Sequence, residues 1–320
     1  MSPAPLTMPG LTFREGHARD LRASFDLSRL ALHGMARSLA IDPGPPPGRE
    51  ELEREWRRRR PLLEYVAAQE GTFVIAEHEG SPVGFARTCR FQNMEELAEV
   101  HVLPSHSGSG IGPALVGRCL PGDPTPDLGR VSVAPGVSRA LNMLTDFGLM
   151  PAAGHWHMRA RTEQFLERRS WIIDAAEPAV VVLGPDRAVA EWQRLEPPAI
   201  GHERGSLHEF FARTRTCLAS MDERSGQATA LCWAGTDDEV GPAVAASSQE
   251  LVPVVLQALD RVAKTQEPET LDVYCATHSW WLLRRLRSLG FEVFWPIWVM
   301  SSVPLPGLDR YLPTRPAHLL

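Results

Sequence analysis

Apolar residues recur along this chain at two spacings, every second position and every third or fourth, and the changes between them mark out strands and helices. Leu11-Thr12-Phe13-Arg14 alternates and predicts a first strand, after which Ala18-Arg19-Asp20-Leu21 opens a helix. Between Glu50 and Gln69 the apolar positions are Leu52, Trp56, Leu62, Leu63 and Val66, the stripe of an amphipathic helix. The arginines 57–60 lie inside that helix behind Glu51, Glu53 and Glu55, and a solvated, charge-paired face explains them. Thr72–Ala76 and Val83–Ala86, joined through Glu79-Gly80-Ser81-Pro82, predict a hairpin. Strands are expected at Leu97–Val102, Leu128–Val133 and Trp156–Arg159, and a helix at Ala140–Leu144 that stops at Phe147-Gly148-Leu149.

The second half repeats this order. Cys217–Met221 and Ala228–Trp233 flank the turn Asp222-Glu223-Arg224-Ser225-Gly226, and Val240–Ala245 follows as another strand. Leu251–Ala263 predicts a helix, Leu271–Cys275 a strand, and a helix from Trp281 ends at Leu289-Gly290-Phe291. A chain of 320 residues is long enough for two domains, and the repetition points the same way.

Ser107-Gly108-Ser109-Gly110-Ile111-Gly112 stands where an apolar strand passes into an apolar helix. Glycines let a ligand approach the backbone, and a helix N-terminus offers free N–H groups and a positive dipole end, so the stretch suits a phosphate. An ordinary glycine-rich turn is the alternative. A Walker loop is excluded because the loop has no lysine. A dinucleotide fingerprint fits badly too: Asp127 lies near the required distance, but Pro121, Gly122, Pro124 and Pro126 interrupt the segment before it.

Ser107-x-x-Gly110-x-Gly112 resembles the Arg/Gln-x-x-Gly-x-Gly/Ala pyrophosphate loop of the GNAT N-acetyltransferases, with Ser107 in place of Arg or Gln. The order of elements around it is similar to that family's over residues 10–161. The resemblance implies an α/β (α+β) chain of two GNAT-like domains, each a mixed, mostly antiparallel sheet flanked by helices, with the fourth and fifth strands splayed. The expected division is an acetyltransferase domain over 1–162, a linker over 163–177 and a degenerate GNAT-like copy over 178–320. The second copy is expected to be degenerate because Ala246-Ser247-Ser248-Gln249-Glu250 replaces the loop without a glycine.

By the same resemblance, acetyl-coenzyme A (or another acyl-CoA) is the co-substrate. Its pyrophosphate would lie on Ser107, Gly108, Ser109, Gly110, Ile111 and Gly112, and its thioester on the backbone of Val100 and Val102. Acetyl transfer to a primary amine by direct attack needs a base. Glu99 and His101 are the candidates, since alternation puts both on one face of their strand. The alternative for both is a face turned to solvent or to the partner domain. Three departures weaken the family pattern. The usual Tyr before Leu-Gly-Phe is Leu144 in the first copy and Leu286 in the second, Pro113 removes an N–H at the helix start, and Val137 or a neighbour replaces a common Asn. A non-catalytic acyl-CoA-binding or sensing protein is therefore the competing expectation.

A net charge of −6 gives no long-range attraction for nucleic acid or anionic membrane. The partner expected is a small-molecule amine acceptor, with room for a homodimer. Five scattered cysteines without CxxC spacing argue against a structural metal and for buried thiols. With no secretory leader pattern or apolar run near 20 residues, a cytoplasmic enzyme is expected.

Overall fold

The computed structural model describes residues 8–39, 41–42, 44–125, 127–171, 179–235, 239–314 and 319–320. The chain parts into two compact units: residues up to Ser132 with Val137–Met150, and Val133–Gly136 with Pro151–Leu320.

In the first unit the elements are β1 (Leu11–Glu15), α1 (Leu21–Ser38), α2 (Arg49–Ala68), β2 (Phe73–His78), β3 (Ser81–Phe91), β4 (Met94–Val102), α3 (Ile111–Cys119), β5 (Gly129–Pro135, as far as Ser132) and α4 (Ser138–Asp146). The strands run β1-β2-β3-β4-β5, antiparallel except for the parallel pair β4–β5. Asp20 holds the start of α1: it accepts two hydrogen bonds from Arg14, each at 2.9 Å, and one from the His17 N–H. The Arg14 guanidinium keeps this carboxyl below the usual carboxylate range. On α2 the arginines pair with glutamates one turn away, Arg60–Glu64 at 2.7 Å and Arg57–Glu53 at 3.7 Å, as a solvated helix face would. Helix α3 packs on β2, β3 and β4 through Ile111, Leu115, Val116 and Cys119, all fully buried. Each of these aliphatic side chains contributes about 1.5–3 kcal/mol of hydrophobic stabilisation. Helix α4 ends where Gly148 turns left-handed at φ +79°.

The second unit contains β6 (Met150–Arg161, from Pro151 onward), α5 (Thr162–Trp171), β7 (Val180–Leu183), α6 (Pro185–Leu195), α7 (Pro197–Ile200), α8 (Gly205–Thr214), β8 (Arg215–Met221), β9 (Ala228–Gly235), β10 (Val240–Ala245), α9 (Leu251–Gln266), β11 (Thr270–Ala276), α10 (Trp280–Ser288), β12 (Glu292–Ser301) and β13 (Tyr311–Leu312). One sheet here runs β12-β6-β11 and a second runs β13-β10-β9-β8-β7. The core is built on α9, whose Leu251, Val254, Val255, Leu256, Leu259 and Val262 are fully buried. Its Asp260 pairs with Arg169 of α5 at 3.1 Å.

The strand expected over Trp156–Arg159 is the middle of β6, which pairs antiparallel with β11 from Arg161↔Thr270 to His155↔Ala276. One expectation changes: of the segment expected as a linker, residues 163–171 belong to α5, whose Phe165 is fully buried in the core on α9. Residues 172–178 lie outside the described residues.

A buried polar network joins α6, α8, β9 and β13. Arg204 donates to Glu196 at 2.6 Å, and His208 Nε2 stands 2.7 Å from the other carboxylate oxygen. Trp233 Nε1–H, a donor only, donates a hydrogen bond to His208 Nδ1 at 3.2 Å, so His208 must present Nε2–H to Glu196. Burial alone would raise the Glu196 pKa, yet Arg204 and His208 hold it well below the carboxylate range.

His155 on β6 is fully buried, and burial, helped by His278, holds its pKa down at about 4 against 6.5 for a free imidazole. The unfolded chain therefore binds a proton that the folded one refuses between pH 6.5 and about 4, and acidification through that window favours unfolding. The full loss is about 3 kcal/mol. Urea unfolding of the wild type at pH 7 and pH 4 should show this loss, and His155→Phe should lose correspondingly less. Equal acid sensitivity in the two proteins would show that His155 is not a buried neutral histidine.

Candidate functional site

Strand β4 passes through a short turn at Pro104–His106 into the glycine stretch and then α3. Gly34 of α1 lets this turn approach, since a Cβ there would stand 2.4 Å from Pro104. Gly108 and Gly110 adopt φ of +85° and +87°, the left-handed region that side chains disfavour. Gly110 is the N-cap of α3 and carries no side chain to cap it. The first N–H groups of the helix, those of Ile111 and Gly112, have no partner within it by geometry, and Pro113 brings none. Ile111 turns its side chain into the core and offers backbone alone, while Ser109 Oγ donates back to the His106 carbonyl at 2.6 Å.

Helix α4 lies along this stretch at one-turn intervals. A Cβ at Gly108 would stand 3.2 Å from the Arg139 guanidinium, one at Gly112 3.5 Å from the Met143 sulfur, and one at Gly117 3.4 Å from the Phe147 ring. Arg139 Nη1 donates to Ser107 Oγ at 3.0 Å. Sequence reading missed Arg139, although its spacing of four from Met143 marks one helix face. His106 pairs with another histidine: its Nε2 stands 3.2 Å from His78 Nδ1, and Ser105 Oγ lies 2.9 Å from its Nδ1.

The parallel pairing of β4 with β5 runs from Met94↔Gly129 to Leu97↔Ser132, where Ser132 Oγ donates to the Leu97 carbonyl at 3.0 Å. Beyond that point the register ends, and residues 98–102 of β4 continue along β3. Val102 lies on the α3 face, beside Gly84 and Leu115. Val100, two residues earlier, shares that face by alternation.

Glu99 and His101 lie on the opposite face, towards α1, so the alternative that turns them to solvent does not hold. They are only 4% and 8% exposed. His101 packs on Phe85 (5.4 Å between centroids), which is clustered with Leu27 of α1. Glu99 is committed to an ion pair with Arg87, its register partner on β3. Arg87 went unnoticed in the sequence, although an arginine after the apolar run Val83–Ala86 is a signal of a buried partner. Burial lowers the His101 pKa, with Glu99 opposing and Arg87 and Arg29 assisting, so its imidazole is held neutral. His101 Nε2 has no hydrogen-bond partner among the described residues.

The corresponding place in the second unit is built otherwise. Glu250 is the N-cap of α9, its N–H directed to Ser247 Oγ at 3.4 Å while that hydroxyl donates back to Glu250 Oε2 at 2.9 Å. A cavity of about 360 Å³ beside it is lined by Asp222, Glu223, Arg224, Ser220 and Glu250 among others, an acidic setting for a phosphate. The edge of β10 is taken by β13, through Ala243↔Leu312 and Val244↔Tyr311.

Residues 35–121, which contain the glycine stretch, match the acetyltransferase (GNAT) family. Its fold is similar to that of a candidate acetyltransferase from Pyrococcus horikoshii at 15% identity and a TM-score of 0.68, over 96% of this chain and 95% of that one. A GCN5-related N-acetyltransferase from Sphaerobacter thermophilus matches at 15% identity and TM-score 0.56, over 94% and 98%. A tandem GNAT protein from the clavulanic acid biosynthesis pathway matches at 16% and 0.55, over 91% and 97%. At such identities the likeness is one of fold. No curated protein matches the sequence. Among the described residues no helix is long and apolar enough to cross a membrane, and no group of His, Cys, Asp and Glu is placed to hold a metal ion.

Glu99 is expected to be indispensable to folding. Glu99→Gln leaves the Arg87 charge buried without its partner and should cost about 3–5 kcal/mol in urea unfolding. Replacing both residues by Met should recover most of that loss, because an apolar pair of similar size carries no desolvation cost. An unchanged midpoint for Glu99→Gln would show that the ion pair does not form.

Proposed function

We propose that the first unit binds acetyl-coenzyme A and transfers its acyl group to the primary amine of a small-molecule acceptor. The observation that carries this reading is the cradle at α3: two left-handed glycines, an N-terminus without a side-chain cap, and β4 parting from β5 beside it. A pyrophosphate fits there, since Gly108 and Gly110 present no Cβ and the helix end offers N–H groups and positive potential. The backbone of Gly108, Gly110, Ile111 and Gly112, with Ser107 and Ser109 beside it, would hold that group. Bound acetyl-coenzyme A supplies an activated acetyl thioester, and the backbone of Val100 and Val102, on the stretch of β4 past its pairing with β5, would polarise the thioester carbonyl.

His101 is the better base of the two candidates. Its neutral imidazole can accept a proton, whereas Glu99 is occupied by Arg87 and fixes the surroundings of His101 instead. In place of the family's tyrosine α4 has Leu144, so protonation of the departing thiolate falls to water or to the attacking amine. One cofactor site per chain is the expectation. Glu250 places a negative charge at the start of α9, and β13 fills the edge of β10 that the pantetheine would need.

The competing reading, an acyl-CoA-binding or sensing protein without turnover, draws support from the commitment of Glu99 to Arg87 and from the missing tyrosine. Calorimetric titration with acetyl-coenzyme A should give about one site per chain, abolished in Gly110→Glu. A screen of amine acceptors should then show acceptor-dependent release of free thiol. His101→Gln should cut that release by about 10²–10⁴-fold while leaving cofactor affinity intact. Binding without release under any acceptor would favour the sensing reading, and wild-type affinity in a folded Gly110→Glu would remove the site altogether.

A further inference from the structure

We propose that Arg139 is a phosphate-binding residue, supplying from α4 the cation that the glycine loop lacks at position 107. The proposal rests on the acetyl-coenzyme A reading above and names the side chain that engages the diphosphate.

Three sources of positive potential converge at the entry to α3, and among the described residues no acidic side chain stands in the first turn of α3 or α4. The first is the N-terminus of α3, with Gly110 as its bare cap. The second is the N-terminus of α4, where Arg139 stands second in the helix. The third is the guanidinium itself, 3.2 Å from where a Cβ of Gly108 would be. A cation in the first turn of a helix opposes the dipole, so this placement is unfavourable by itself. No ion pair is recorded for Arg139 among the described residues, whereas Arg14, Arg22, Arg29, Arg60, Arg87 and Arg204 all meet carboxylates. The side chain is exposed, and the bond it makes among the described residues is to a neutral hydroxyl, that of Ser107. An anion at this point would turn three repulsive terms into attractive ones.

The side chain is also held in place. Arg139, Met143 and Phe147 form one face of α4, each opposite a glycine of the loop and α3, and the packing of Met143 and Phe147 sets where the guanidinium emerges. Ser107 is small enough to leave that space open and donates no charge of its own. A planar guanidinium with several N–H donors suits the oxygens of a diphosphate, to which it can bond in bidentate fashion.

The test is titration of the full chain with acetyl-coenzyme A and with S-acetylpantetheine, which keeps the thioester arm and lacks the diphosphate. Arg139→Gln should weaken acetyl-coenzyme A by about 10–100-fold and flatten the dependence of its affinity on salt. Affinity for S-acetylpantetheine, or its turnover with a working acceptor, should not move. Adding Ser107→Arg to Arg139→Gln should restore most of the lost affinity by returning the cation at the neighbouring position. Equal loss for both ligands would mean that Arg139 only supports the packing of α4. If Gly110→Glu abolishes binding but Arg139→Gln binds like the wild type, the inference fails while the cofactor site stands. If the wild type binds no acetyl-coenzyme A, both fall together.

Discussion

Arg87 and Glu99 face each other across β3 and β4 with side chains only 3% exposed, and much of the first unit is arranged around that pair. Two ions withdrawn from water lose several kcal/mol of hydration each, which their attraction offsets only in good geometry. Register is therefore set strictly: a slip of one residue would leave both charges buried without a partner. The same alternation that turns Glu99 and His101 towards α1 turns Val100 and Val102 towards α3. Arg87 also lies over the Phe73 ring at 5.3 Å, so the charge is wrapped by apolar surface on a further side. The consequence for chemistry is that His101 lies in a dry, fixed setting in which its imidazole stays neutral.

A second constraint acts on the helices. Gly108, Gly112 and Gly117 recur at intervals of about one helical turn, and α4 meets each with a side chain. A Cβ at Gly112 or Gly117 would meet α4 at ordinary contact distance, 3.5 and 3.4 Å, whereas one at Gly108 would crowd the Arg139 guanidinium at 3.2 Å. Cradle and guanidinium thus meet at Gly108.

Most elements were legible because their patterns are local. The hairpin at β2–β3, the fourth strand of each half and the glycine stops at Gly148 and Gly290 follow from periodicity and turn chemistry. The partner of β6 was not legible. Alternation in Trp156–Arg159 shows that a strand forms, but nothing within it says whether its edge will meet β5 or, more than a hundred residues later, β11. The site divides in the same way. The glycine loop is contiguous and could be read directly, whereas the Arg87–Glu99 pair and the Arg139–Ser107 bond join separate segments. Only the spatial pairing of those segments shows that Glu99 is occupied and that Ser107 has a cation beside it.

The two units show how the same order of elements carries different chemistry. Strand, turn and helix follow one another in β4–α3 and again in β10–α9, and both helices bury a continuous apolar face. What differs lies at the helix start and along the strand edge. Gly110 leaves the α3 terminus open, whereas Glu250 with Ser247 occupies that of α9 from within the chain. Past Leu97 β4 has no further register with β5, whereas Tyr311 and Leu312 complete the edge of β10. Ser247 accepts the Glu250 N–H and β13 pairs with the edge of β10, backbone groups of the kind that a ligand could otherwise satisfy. That contrast is the physical argument behind the proposal that cofactor chemistry lies in the first unit and a scaffold role in the second.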